Sequence, residues 1–172
     1  MSARLPTKTP AKRQTTVARV TSILEGYAAK GVFRGFSAQP ASRGTARYRM
    51  VWHYDRQFEL TLDVASRTLR FADLLPGIPA NSAMYKELKA FLKERQSPDR
   101  VEHRRVDPQK ARIRVTNRGG RVSLVFSLLD SDFEYASRKI IHLVHEIFLV
   151  FLIDGNYFDY LVEHLGLDPD RF

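Results

Sequence analysis

Two histidines and a glutamate near the C-terminus have residue types and a spacing that suit metal chemistry. His142 precedes His145 by three residues and Glu146 by four, so a helix would place all three on one face. Imidazole nitrogens and a carboxylate are ligands for Zn²⁺ or Fe²⁺. The order His-x-x-His-Glu, however, matches neither H-E-x-x-H nor H-x-x-E-H. We therefore expect these residues to form the solvent-facing edge of a buried helix, without a metal.

A second group of residues has the composition of an acid–base site. His53, Asp55 and Glu59 surround a predicted hairpin, where an imidazole could act as a base and a carboxylate could orient it. No recognisable nucleophile motif or phosphate-cradling loop accompanies them. The acidic run at 130–134 suits a helix N-terminus, where the macrodipole favours carboxylates. We therefore predict no catalytic residue, no cofactor and no enzyme activity.

His142 and His145 lie in a largely apolar run at residues 140–153, IIHLVHEIFLVFLI. As a helix it rises about 21 Å, which is shorter than the ~30 Å hydrocarbon core of a membrane, so we predict no membrane contact. A helix that is apolar on most sides exposes more apolar surface than one sheet face can cover. We predict that the surplus binds a protein partner or a second copy of the chain in a homodimer. The predicted contact residues are Phe148, Leu149, Phe151 and Leu152.

The charge of the chain is distributed unevenly. The formal net charge is +9, with segment values of +9 for residues 1–54, +6 for 55–121 and −6 for 122–172. A basic region attracts nucleic acid or acidic partners through its general field. Cysteine is absent, which excludes disulfides and thiolate metal sites. The first 20 residues contain no apolar core of signal-peptide length, which predicts a cytoplasmic protein.

The chain length favours one domain preceded by a short tail. Residues 1–15 are basic, contain two prolines and lack apolar periodicity, which predicts a flexible tail before a domain at 16–172. Thr15 or Thr16 can cap a first helix. The following segment, 31–44, is rich in Gly, Ser, Ala and Pro and is predicted to be a loop.

Alternating apolar and polar residues then predict five strands of an antiparallel sheet with one apolar face. Three strands form a meander and two form a hairpin through a turn at Asn117–Gly120. The predicted strand segments are 47–54, 58–64, 68–71, 111–115 and 122–128.

Helices complete an α+β fold in which the helices cover one face of the sheet, in the order α-β-β-β-α-β-β-α. Asn81 or Ser82 starts the middle helix. Its predicted inner residues are Met84, Leu88 and Phe91. Ser131 and Glu134 have the spacing of a capping box that opens the long apolar helix. The turn residues at 154–156 are expected to interrupt that helix before a short C-terminal one.

The polar face of this predicted sheet is rich in arginine. Its basic residues are Arg47, Arg49, Arg70, Arg112, Arg114 and Arg121. Guanidinium groups on an open surface can bind phosphate. The aromatic residues of the strands point to the opposite face, so this surface has no platform for stacking bases. Nucleic-acid binding through this face and the basic tail is therefore the alternative function.

The element order resembles that of the type III secretion chaperone-like fold and of its bacterial YbjN relatives. The resemblance rests on a third strand that runs into a Leu-Leu-Pro-Gly-Ile-Pro break at 74–79, then a helix, a hairpin at 112–128 and a long apolar helix. It covers residues 17–153. It implies a small, non-enzymatic binding module that is often dimeric, although this chain is basic where secretion chaperones are acidic.

Overall fold

The computed structural model describes residues 10–40 and 43–171, which form an α+β fold. Within this part of the chain there are four α-helices, six strands and one π-helical segment. The helices are α1 (Pro10–Ala29), α2 (Ala83–Glu94), α3 (Phe133–Glu146) and α4 (Phe158–Leu165), and the π-helical segment is Ile147–Ile153. The strands are β1 (Arg34–Pro40), β2 (Thr45–Trp52), β3 (Arg56–Asp63), β4 (Thr68–Leu75), β5 (Ala111–Arg118) and β6 (Arg121–Leu128).

The strands form one antiparallel sheet in the order β1-β2-β3-β4-β6-β5. The α+β class is confirmed, but the predicted count of five strands is wrong because β1 lies where a loop was expected. Its Gly, Ala and Pro residues have low strand propensity. Among the described strands it is an edge strand next to β2, with matches such as Gln39↔Arg47, and a bulge lies between Arg34 and Ser37.

Helix α1 begins earlier than predicted. Pro10 is its first residue, and proline is well suited to the first turn because its missing N–H would have no helical partner there. Thr15 and Thr16 are inside the helix and donate their hydroxyls to the carbonyls of Ala11 and Lys12. Residues 10–15 of the predicted tail are therefore helical, while residues 1–9 of that tail lie outside the described residues.

The core lies between the apolar face of the sheet and the helices. Every second residue of β2 and β3 is buried there, as the alternation predicted. The helices contribute residues at helical spacing, such as Val20 and Leu24 of α1 and Ile140 and Val144 of α3. One contiguous core results, and the opposite face of the sheet carries the polar side chains.

Two helix predictions need correction in detail. The buried residues of α2 are Tyr85, Leu88 and Leu92, while the predicted inner residues Met84 and Phe91 are half-buried. The N-cap of α3 is Asp132, whose carboxylate accepts a hydrogen bond from the Tyr135 amide at 3.0 Å. Ser131 precedes it in a left-handed conformation with φ of 63°. The capping signal was thus assigned one residue too early.

The π-helical segment ends at a tight turn. Its wider winding is seen in the bonds from the Asp154 amide to the Leu149 carbonyl and from the Tyr157 amide to the Leu152 carbonyl, both 3.3 Å. Gly155 lies in this turn, and a Cβ there would collide with the carbonyl oxygen of Phe151. The predicted interruption at 154–156 is confirmed, and its tightness depends on glycine.

Gly155→Ala should lower the free energy of unfolding by about 2 to 4 kcal/mol, because backbone must move to admit the methyl group. Gly26 in α1 is the matched control, since a Cβ there meets nothing within 4 Å. Gly26→Ala should stabilise the protein by about 0.5 to 1 kcal/mol through helix propensity. Urea denaturation of both variants checks the difference, and equal effects would contradict it.

Candidate functional site

The face of the sheet that points away from the core forms the arginine face, with the six arginines predicted for it. All six side chains are exposed. Strand pairing places Arg47 opposite Thr61, Thr61 opposite Arg70, and Arg70 opposite Val125. Val125 in turn lies opposite Arg114. Arginine therefore recurs on every second strand of this row, at intervals of about 10 Å, because adjacent strands are ~4.8 Å apart.

Small side chains fill the space between these arginines. Thr61, Thr68 and Ser127 are half-buried, and Ser123 and Val125 are almost fully buried although they belong to the outward side. Opposite residues on adjacent strands have Cβ atoms about 5 Å apart, so the aliphatic stems of Arg70 and Arg114 flank Val125. The middle of the arginine face is thus formed by small, mostly polar side chains, and the long arginine side chains extend from it into solvent.

Few of these arginines have a carboxylate partner. Arg49 forms an ion pair with Glu59 at 3.4 Å. Arg70 donates to the Ser123 hydroxyl at 3.4 Å. The remaining members of the face are Arg47, Arg112, Arg114 and Arg121. Among residues 10–40 and 43–171, no carboxylate oxygen lies within 4.0 Å of their guanidinium nitrogens. These guanidinium groups retain their full capacity to bind an external anion.

The aromatic residues of the strands lie on the core side, as predicted. Tyr48, Phe58, Phe71 and Phe126 are each at most 2% exposed. They cannot stack on a ligand at the opposite face. The chemistry that the arginine face offers is therefore charge-assisted hydrogen bonding to phosphate or carboxylate oxygens, without base recognition by stacking.

The predicted partner-binding residues divide into two groups. Phe148 and Leu152 are fully buried and Phe151 is 6% exposed, so these three pack inside the chain itself. The Phe148 ring packs near the rings of His53, Tyr54 and Phe58. Leu149 is 40% exposed. The predicted contact set is therefore corrected, because side chains in the core have no surface to offer a partner.

The residues of the candidate metal motif do not converge. His142 is exposed, the His145 ring lies 5.4 Å from the His53 ring, and Glu146 contacts Arg95. Within the part of the chain that the structure describes, no group of three or more His, Asp or Glu side chains is arranged to hold a metal ion. The acidic run at 130–134 has a structural role, since Asp130 and Asp132 flank the Lys110 ammonium at 3.3 and 2.8 Å.

Glu146 instead forms a largely buried ion pair. Its Oε2 atom lies 3.0 Å from Nε of Arg95, whose side chain is 4% exposed and lies over the Phe91 ring at 4.1 Å. Burial lowers the pKa of Arg95, while the Glu146 carboxylate raises it. The pair joins the C-terminus of α2 to the C-terminus of α3.

Glu146→Gln should destabilise the protein by about 2 to 4 kcal/mol, because it leaves the Arg95 charge buried without a counterion. The double variant Arg95→Met with Glu146→Leu should lose less than Glu146→Gln alone, since it removes both charges together. Urea denaturation of the two variants provides the comparison. An equal or larger loss in the double variant would contradict a desolvation cost at Arg95.

The three residues considered as an acid–base group, His53, Asp55 and Glu59, each contact a different partner. Asp55 pairs with Arg34, and Glu59 pairs with Arg49. His53 stacks on Phe148 with ring centres 4.3 Å apart, and its Nε2 atom has no hydrogen-bond partner among the described residues. Burial, followed by the nearby His145, lowers the pKa of His53 to about 4. His53 is thus a neutral packing residue, which its sequence context did not indicate.

This depressed pKa makes stability depend on pH. The unfolded chain takes up a proton at His53 near pH 6.5, whereas the folded chain does so only near pH 4. The contribution is complete above pH 6.5 and is lost as the pH falls towards 4. Between pH 7.5 and 4.5 the parent protein should lose about 1 to 2 kcal/mol more than His53→Phe, allowing for partial solvent screening.

Urea denaturation at both pH values measures this difference. His53→Phe keeps the aromatic stack, and the exposed His142→Gln serves as the control that removes a histidine elsewhere. The same pH dependence in the parent and in His53→Phe would show that this imidazole does not carry the effect.

The structure also contains a cavity that the sequence did not predict, because β1, which lines part of it, was not predicted. It has a volume of about 660 Å³ and lies where the start of β1 meets the turn after β2. Phe36 and Tyr54 contribute half-buried rings to its lining, and the Arg34–Asp55 ion pair borders it. Tyr54 and Asp55 both have positive φ values, near 58° and 55°, so this turn is strained. Only the pairing of β1 with β2 brings these segments together.

Comparison of the chain with protein-family models, with curated proteins and with solved structures finds no match in any of the three. The resemblance to secretion chaperones therefore stays a prediction from element order, and the structure adds one strand to that order. None of the helices formed by residues 10–40 and 43–171 combines the length and apolarity needed to cross a membrane.

Proposed function

We propose that the protein is a non-enzymatic module that binds the phosphate backbone of nucleic acid through its arginine face. The observation that carries the proposal is the set of four exposed arginines, Arg47, Arg112, Arg114 and Arg121, that lack a carboxylate partner among the described residues. They share one side of a sheet whose other side is occupied by the core. A protein with a formal charge of +9 also attracts polyanions at a distance.

The proposed mode of binding follows from the shape and chemistry of the face. A sheet is a rigid support, so little ordering entropy is lost by the backbone on binding. Guanidinium groups can contact phosphate oxygens with two parallel hydrogen bonds. Without aromatic rings on this side, affinity comes from phosphate contacts and varies little with base sequence. The thermodynamic signature is a steep dependence on salt.

Binding of a protein through the C-terminal apolar segment, with the contact residues that the sequence suggested, is supported less well. Three of those four residues belong to the core of the chain. In contrast, all six residues of the arginine face are accessible as expected. The exposed apolar side chains of the C-terminal segment, which include Leu149, form a surface separate from the arginine face.

The triple variant Arg47→Gln, Arg70→Gln, Arg114→Gln removes the arginine row. It should bind a fluorescein-labelled 20-base-pair DNA roughly 10 to 100 times more weakly near 100 mM salt. The slope of log K against log salt concentration should become shallower by about 0.9 for each phosphate that the variant no longer neutralises. Fluorescence anisotropy titrations at several salt concentrations measure both quantities. Two duplexes of unrelated sequence should give similar affinities.

Lys30→Gln, Lys86→Gln, Lys93→Gln is the matched control. It removes the same net charge from exposed positions on α2 and at the end of α1, away from the arginine face. Its affinity should fall much less, since only the general field is weakened. If the two triple variants lose affinity equally, net charge and not this face explains binding. No measurable binding by the parent protein at low salt would refute the proposal.

A further inference from the structure

The C-terminal segment presents a second surface, which we name the apolar ridge. It consists of four exposed side chains on the π-helical segment and at the start of α4. They are Leu149 (40% exposed), Val150 (42%), Ile153 (45%) and Phe158 (45%). Three of them fall within five consecutive residues, on the outer side of a segment whose inner side is core. Exposed apolar side chains grouped in this way often mark an interaction site.

The local geometry of the ridge is held in place from below. Ile147, Phe148, Phe151 and Leu152 anchor the inner side of the same segment in the core. The wide π-helical winding changes which residues point outward compared with a continued α-helix, and such segments occur often at functional sites. The exposed residues are therefore displayed on a packed support and are not part of a loose terminus.

The chain segment that carries the ridge is acidic, in contrast to the strongly basic segments before residue 122. Residues 140–170 contain six Asp or Glu residues and no Lys or Arg. Of these acids, Glu146 is neutralised by Arg95. Asp154 and Asp159 adjoin the ridge residues Ile153 and Phe158 in sequence. Both are exposed, and within the described ranges neither has a basic side chain within 4.0 Å.

This charge decides between the candidate occupants of the ridge. A two-fold symmetric contact between two copies brings the same patch of each copy together, which would place the acidic borders against each other. Anionic lipid is repelled for the same reason. A segment with apolar side chains flanked by lysine or arginine is complementary to the ridge in two ways. It can cover the exposed apolar side chains, and it can pair with the carboxylates.

We propose that the apolar ridge is a docking surface for a basic amphipathic helix of a partner protein. Leu149, Ile153 and Phe158 would contact the apolar side of that helix. Asp154 and Asp159 would pair with its flanking cations. This surface differs from the arginine face in sign and in chemistry, so one module would hold a polyanion at one place and a basic protein segment at another.

The probe is a labelled 18-residue amphipathic peptide with leucine on one face and lysine beside it, and its matched form with glutamate replacing lysine. The 172-residue chain should bind the lysine peptide and bind the glutamate form at least about ten times more weakly. Leu149→Ser with Ile153→Ser should weaken binding of the lysine peptide by at least about tenfold. Asp154→Asn with Asp159→Asn should weaken it as well, and more so at low salt.

Circular dichroism confirms that the variants, all at exposed positions, remain folded. The arginine-row variant should keep its affinity for the lysine peptide, which separates this surface from the nucleic-acid proposal. Equal binding of both peptides, or unchanged binding by the ridge variants, would overturn the inference. So would light scattering that shows a dimer of the parent protein and a monomer of Leu149→Ser with Ile153→Ser, since a second copy would then occupy the ridge.

Discussion

The register of the antiparallel sheet is the constraint on which the rest of the structure depends. Side chains alternate between the two faces with a period of two, so a slip of one residue in any strand would exchange its two faces. Tyr48 and Met50 are buried on the core side of β2, so the residues between and before them, Arg49 and Arg47, lie on the opposite side. The hydrophobic effect fixes the pairing, and the pairing in turn aligns Arg47, Arg70 and Arg114 in one row. The arginine face is thus a consequence of the core.

The C-terminal helical region completes that core and also reverses the charge of the surface. Phe148 reaches the rings of His53 and Phe58, and the Arg95–Glu146 pair ties the same region to α2. Beyond this point the chain carries no lysine or arginine until Arg171. A protein with a strongly basic sheet face therefore ends in an acidic, partly apolar region. We propose that the two surfaces bind partners of opposite charge, as in a module that connects two different molecules.

Strands with a clear alternation of apolar and polar residues were predictable from the sequence, and strands without it were not. β2 and β3 alternate clearly, and the sequence predicted both these strands and the outward position of Arg47 and Arg49. β1 lacks that signal, because the hydrogen bonds of an edge strand are made by backbone and require little of its side chains. The candidate sites were less predictable. His53, Asp55 and Glu59 are near in sequence, but each has a different partner, and two of those partners are Phe148 and Arg34. Such partners come from distant segments.

By itself, the sequence determined the alternation of the strands, the break at 76–79, the apolar character of residues 140–153 and the polarity of charge along the chain. These are local properties of composition and period. Only the tertiary structure decided that Phe148, Phe151 and Leu152 are core residues while Leu149 and Ile153 are exposed. The physical reason is that an apolar side chain is buried according to how many neighbouring elements surround it. For Phe148 and Phe151 the neighbours include rings from the turn after β2, from β3 and from α2, all distant in sequence from the segment itself.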